Sequence, residues 1–334
     1  MTISRKNIAV FFKCASPLCA IVLLGWAVLP VHGQDYTAQT ASNEVVKARV
    51  ASAKINAKIA NQMRKVASEL QHQDFIHESR DICQMLIQSK FVQAADYVIL
   101  AQTYKTVLVD EDKTNRAMQY LKKAEALDPE FGETYTLMSR IANEDGRYKE
   151  ALALSNKALN CKSPDYRALE YKATALANLN RNEEALQTIE LAIKHYSWVP
   201  ELHRIKGSVL ENLGRYSQAV DAYRKAWQLH HTDWNVFRIA HCLEMQNKFG
   251  EAIEELSQQI KRNPKDGEAF RSRALLKIKA KDLPGAIKDF DTCITLEPTA
   301  KTYRDRAKLH QQLGHKDLYK RDLAEAAKMD SSPF

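Results

Sequence analysis

Histidine and cysteine are the side chains here best able to act as nucleophile, proton carrier or metal ligand, and the chain has ten of the first and six of the second. None stands in a spacing that such chemistry needs. His72 and His77 lie five residues apart and His230 and His231 are adjacent, spacings that suit exposed helix ends. The cysteines form no CxxC pair, so neither a zinc site nor a disulfide framework follows, and buried structural thiols are expected instead. There is no HExxH, no GxSxG and no glycine-rich phosphate loop. The sequence therefore predicts no catalysis, no metal and no cofactor. What remains for function is recognition by arginines and aromatic rings, which depends on the elements that hold them.

Those elements are read first from composition. The chain has 334 residues, 45% hydrophobic and 27% charged, with only 10 Gly and 9 Pro and no Pro- or Ser-rich linker. This predicts a continuous helical body and excludes a wholly disordered chain or a polytopic membrane protein. The N-terminus differs. Arg5, Lys6 and Lys13 precede an uncharged run from Pro17 to Leu29, and small residues Val31 and Gly33 follow. Residues 1–33 resemble a secretory signal peptide, with the mature chain starting at Gln34; the alternative is an uncleaved membrane anchor. Export to a periplasm or the exterior is the expectation on the first reading, membrane anchoring on the second. Cleavage would remove three positive charges and no acid from a formal +8, leaving +5, which is too mild to argue for nucleic acid.

A period runs through the rest. Ala117, Ala151, Ala185, Ala219, Ala252 and Ala286 recur every 33 or 34 residues. A second small series, Ser139, Ala173, Gly207, Ala240 and Ala274, precedes it by twelve positions; Ala307 holds the same place in the last unit and Ala101 opens the first. A third follows by seven: Ala124, Ala158, Ala192, Ala226, Gln259, Cys293 and, in the last unit, Ala326. Small residues on a contact line let two helix axes approach closely, so each unit is expected to be an antiparallel helix pair. Leu121, Ile189, Tyr223, Leu256, Phe290 and Leu323 are the expected knobs of the second helices, Gly146 and Gly214 mark turns, and Pro129, Pro264 and Pro298 end units.

The pattern of large and small residues, Gly-x-Tyr and a closing Pro over 34 residues, plainest in residues 200–232, resembles the tetratricopeptide repeat family. The resemblance covers residues 94–333 as seven repeats, about 94–131, 132–165, 166–199, 200–232, 233–266, 267–299 and 300–333. It implies an all-α, right-handed superhelical solenoid of antiparallel helix pairs and a protein or peptide partner. The first repeat has about four extra residues, Val109 to Asp112, expected as a longer acidic loop, and Tyr319 replaces the expected Ala in the last.

In such arrays the first helix of each pair lines the concave face. On the positions that the resemblance points to, the C-terminal half offers Arg204, Arg238, Arg271 and Arg304 as a row of forked donors for carboxylates. Trp234 and Phe237 stand beside them as apolar anchors, with His241 and Lys308 completing the candidate partner-binding set. Glu201 and Glu268 lie three residues before Arg204 and Arg271, so these pairs also read as ordinary ion pairs within a helix. Some chaperone-binding members hold a C-terminal carboxylate with a fixed set of Lys, Asn and Arg; Arg238 stands where one Asn would be, so that clamp is not expected.

Before the repeats, Ile55, Ile59, Met63, Val66 and Leu70 recur at helical spacing and predict a long amphipathic helix from about Ala41 to Leu70. Residues 34–93 then read as a capping helix or a degenerate repeat. Two functions stay open: an exported module binding a partner segment, partly acidic, in the groove, or an assembly scaffold tethered through its N-terminal helix or anchor.

Overall fold

The computed structural model describes residues 55–72, 75–105 and 111–331. Residues 1–33, and the expected long helix before Ile55, lie outside this range. Among the described residues there are sixteen helices and no strand beyond an isolated parallel bridge between Phe131 and Ser163. They fall in two compact units, Met1–Lys172 and Ala173–Phe334, with the boundary inside a helix.

In the first unit α1 (Ala57–His72) packs on α2 (Ile76–Ile87), α3 (Ala94–Lys105) on α4 (Glu111–Leu127), and α5 (Gly132–Glu144) on α6 (Tyr148–Asn160); α7 (Ala168–Asn178) carries the boundary. The expected single helix from Ala41 does not run through to Leu70. Ile55 and Asn56 are not helical, and the Asn56 side chain accepts a hydrogen bond from the Ile59 amide at 3.0 Å, capping α1 at Ala57. Of the residues expected in the acidic loop, Glu111 and Asp112 belong to α4, and residues 106–110 lie outside the described range.

The α1–α2 pair shares the register of the repeats. Ala67 stands 34 residues before Ala101, and Ser79, twelve residues after Ala67, donates its hydroxyl to the Ala67 carbonyl at 2.8 Å. The α5–α6 pair has the converse bond, in which Ser139 of the first helix, twelve residues before Ala151, donates to the Ala151 carbonyl at 2.8 Å. Here the sizes are exchanged, with Cys83 in the knob slot and Leu86 in a small one, both fully buried. Met63, Ala67 and Leu70 are buried too, so the apolar face of α1 is spent inside this unit.

The second unit holds α8 (Asn182–His195) and four packed pairs: α9 (Pro200–Asn212) on α10 (Tyr216–Leu229), α11 (Asp233–Met245) on α12 (Phe249–Arg262), α13 (Gly267–Lys279) on α14 (Leu283–Leu296), and α15 (Ala300–Gln312) on α16 (Lys316–Ser331). The three small series are buried throughout, with Ala185, Ala219, Ala252 and Ala286 fully so. Tyr223, Leu256 and Phe290 fill the spaces they leave, each such side chain contributing about 1.5–3 kcal/mol. Leu323 breaks the series: at the knob position of the last described pair it is 39% exposed.

Every first helix from α5 onward ends alike. Gly146, Asn180, Gly214, Asn247, Lys281 and Gly314 have φ between 59° and 75°. The amide after each bonds to a carbonyl five residues back, as Arg215 does to Leu210 at 2.9 Å. Gly146, Gly214 and Gly314 are the residue type that such a turn favours; Asn tolerates the left-handed region and Lys281 is forced into it.

Candidate partner-binding face

All eight candidate residues lie in the second unit, on α9, α11, α13 and α15. Their surroundings separate them into two groups.

Trp234 and its neighbours form an exposed aromatic site. The indole is 43% exposed, its edge meets the Tyr223 ring at 5.7 Å between centroids, and the guanidiniums of Arg204 and Arg238 lie over it at 5.1 and 5.7 Å. Arg204 also pairs with Glu201, as the local spacing predicts. Arg238 instead reaches back to α9 and holds both carboxylate oxygens of Glu211 at 2.6 Å. The Tyr223 hydroxyl donates to the same carboxylate at 2.5 Å, and His241 Nε2 stands 3.7 Å from it. Burial and the hydrogen bond to Glu211 push the Tyr223 hydroxyl pKa up, and burial next to Glu211 raises Cys242 to about 12.

Next to it is an open hollow of about 430 Å³ whose lining includes Phe237, Ala240 and His241 from α11 and Ser272, Leu275 and Lys279 from α13. Its floor is apolar and its rim polar, with Lys279 paired to Glu244 across it. This is the shape that accepts one apolar side chain of an extended segment while its backbone meets polar groups.

The remaining arginines are not free donors. Arg271 was expected at an exposed helix pair, but it is only 7% exposed: Nε and Nη2 donate to Asp305 at 2.9 and 2.7 Å and Nη1 to Glu268 at 2.8 Å. Asp305 is 34 residues on, at the facing position of the next repeat, so Arg271 joins α13 to α15. Arg304 pairs with Asp330 at an exposed site. Lys308 is 75% exposed on its side chain and approaches Asp305 only to 3.9 Å. The row of donors is thus largely compensated within the chain. The carboxylates that do this, Glu211 and Asp305, were not singled out in the sequence; comparing positions one period apart would have found Asp305.

The described residues thus form an array of tandem helix pairs whose first helices carry all eight candidate residues. Residues 171–229 match a family model described as tetratricopeptide repeat. Curated relatives include the Hsp70-Hsp90 organizing protein of Triticum aestivum, 29% identical over 194 residues, which covers 55% of this chain and 32% of the relative. The Hsp70-Hsp90 organizing protein 2 of Arabidopsis thaliana is 28% identical over 190 residues, 55% of this chain and 33% of the relative. The chain therefore matches about a third of the length of these relatives. Among solved structures, the C-terminal part of a TPR repeat-containing protein from Cytophaga hutchinsonii superposes with a TM-score of 0.58 at 13% identity, over 72% of this chain and 96% of the other. A tetratricopeptide repeat protein from Parabacteroides merdae gives 0.52 at 20% identity, over 71% and 93%. These structures share the fold.

Proposed function

We propose that the first-helix face of the second unit binds an extended segment of a partner protein, and that the chain acts by binding and not by catalysis. The observation that carries this is the open hollow between α11 and α13 beside the exposed Trp234. An apolar side chain of the partner fills the hollow and a second stacks on Trp234. The partner's acidic residues fall on α15, where Lys301 and Lys308, seven residues apart, stand exposed on one face. The compensated arginines are assigned to the scaffold, so the acidic preference is narrower than a row of four guanidiniums would give. Relatives named for organizing Hsp70 and Hsp90 support a protein partner.

A phage-displayed library of linear peptides selected on the purified chain tests the reading. Enriched peptides should share an apolar residue followed by acids. Leu275→Glu, which places a charge in the hollow, should weaken a synthetic consensus peptide at least about tenfold in fluorescence anisotropy. Absence of any consensus, or equal binding by the variant, would exclude the hollow.

We further propose that the chain is exported with residues 1–33 removed, on the strength of the basic, apolar and small-residue order of that segment. N-terminal mass spectrometry of the native protein should find Gln34; Met1 or Thr2 in a detergent-dependent preparation would mean an anchor. The burial of Met63, Ala67 and Leu70 within the first unit favours partner binding over assembly through a free α1 face.

A further inference from the structure

The last helix pair brings together two histidines that the sequence does not connect. His310 lies near the end of α15 and His315 just before α16, and the turn between them is closed by the His315 amide donating to the His310 carbonyl at 2.9 Å. That bond sets the two imidazoles side by side, with ring centroids 5.5 Å apart and the two Nδ1 atoms 3.3 Å apart. His310 is buried and His315 exposed.

Behind His310 the surroundings are charged. Its Nε2 stands 3.8 Å from Asp322, a buried carboxylate that Arg306 holds with two hydrogen bonds of 2.8 and 2.6 Å, while Arg306 also reaches Asp291 at 2.6 Å. A carboxylate on that side favours the tautomer with its proton on Nε2, which leaves the Nδ1 lone pair of His310 directed at His315.

We propose that His310 and His315 bind a divalent transition-metal ion of the zinc class through their two Nδ1 atoms. Metal–nitrogen distances of about 2.0–2.1 Å and an N···N separation of 3.3 Å place the ion at an angle of about 105–110°, close to tetrahedral. Asp322, 3.8 Å from Nε2 and beyond hydrogen-bond reach, contributes only a favourable charge on the far side of the His310 ring. On binding, His315 changes tautomer: its Nδ1 proton passes to solvent and Nε2 takes one up, so the ligand is a neutral imidazole and no net proton is released. Among the described residues no three His, Cys, Asp or Glu side chains converge on one point, so the ion has two protein ligands and its other positions are open to water or to a partner's side chain. The ion would join the end of α15 to the start of α16.

The test uses the full chain purified without a polyhistidine tag and titrated with cobalt(II), read by its visible d–d absorption, and with zinc(II), read by calorimetry and by thermal unfolding. One equivalent should bind and zinc should raise the melting temperature. His315→Ala, at an exposed position, should weaken binding at least about tenfold and abolish the zinc-dependent shift, and His310→Gln should do the same if it folds. His230→Ala should behave as the unaltered chain. Failure of the unaltered chain to bind, or equal binding and an equal thermal shift in His315→Ala, would overturn the proposal.

Discussion

The Tyr223 ring lies against Gly207: a β-carbon at Gly207 would stand 2.6 Å from Cε1 of that ring. The contact joins α9 to α10 and also aims the Tyr223 hydroxyl at Glu211, the carboxylate that anchors Arg238 beneath Trp234. Gly207→Ala should therefore displace the ring and cost about 1–3 kcal/mol in urea-induced unfolding. Ala219→Leu, at a fully buried position of the same pair, should cost a comparable amount, whereas Lys225→Leu on the exposed side should cost little.

Arg271 and Arg304, read alike in the sequence, should now behave differently. Arg271→Ala leaves Asp305 half-enclosed without its main partner and should cost about 3 kcal/mol. Arg304→Ala removes an exposed pair and should stay within about 1 kcal/mol. Chemical denaturation of the two single variants checks this, and equal effects would mean that Arg271 is not a link between repeats.

Lys281 adopts φ of 65° at the turn after α13 and has no side-chain reason to do so. Lys281→Gly should stabilise the chain by about 1 kcal/mol, while Gly214→Lys at the matching turn should destabilise it similarly. Thermal unfolding of both variants decides whether the left-handed turn is strained.

The four described cysteines should differ in reactivity. Burial raises Cys83 to about 12, Cys242 to about 12, and Cys293 above its ordinary range, whereas Cys161 is only half-buried. Iodoacetamide on the native chain, read by peptide mass spectrometry, should label Cys161 before Cys83, Cys242 and Cys293. A thiol whose pKa is higher in the folded chain favours folding at pH below the ordinary thiol range. The Cys83 contribution is accordingly fully present at neutral pH and is lost as pH rises from about 9 towards 12.

The sequence by itself determined the helix pairs, their period and the lines along which they touch. Those features are written locally: a small residue at Ala219 or Ala252 is required wherever two axes approach, and the same requirement recurs one period later. It left open how each charge is used. Arg271 and Arg204 follow a glutamate at the same spacing, yet only the stacking of α13 against α15 puts Asp305 beside Arg271 and buries it, while Arg204 turns to Trp234. The left-handed turns at Asn180 and Lys281 were not legible either, because neither residue type demands a positive φ. A side chain's partner is fixed by distance in space, and that distance depends on how whole repeats stack; the residues along one helix determine only which face each side chain occupies.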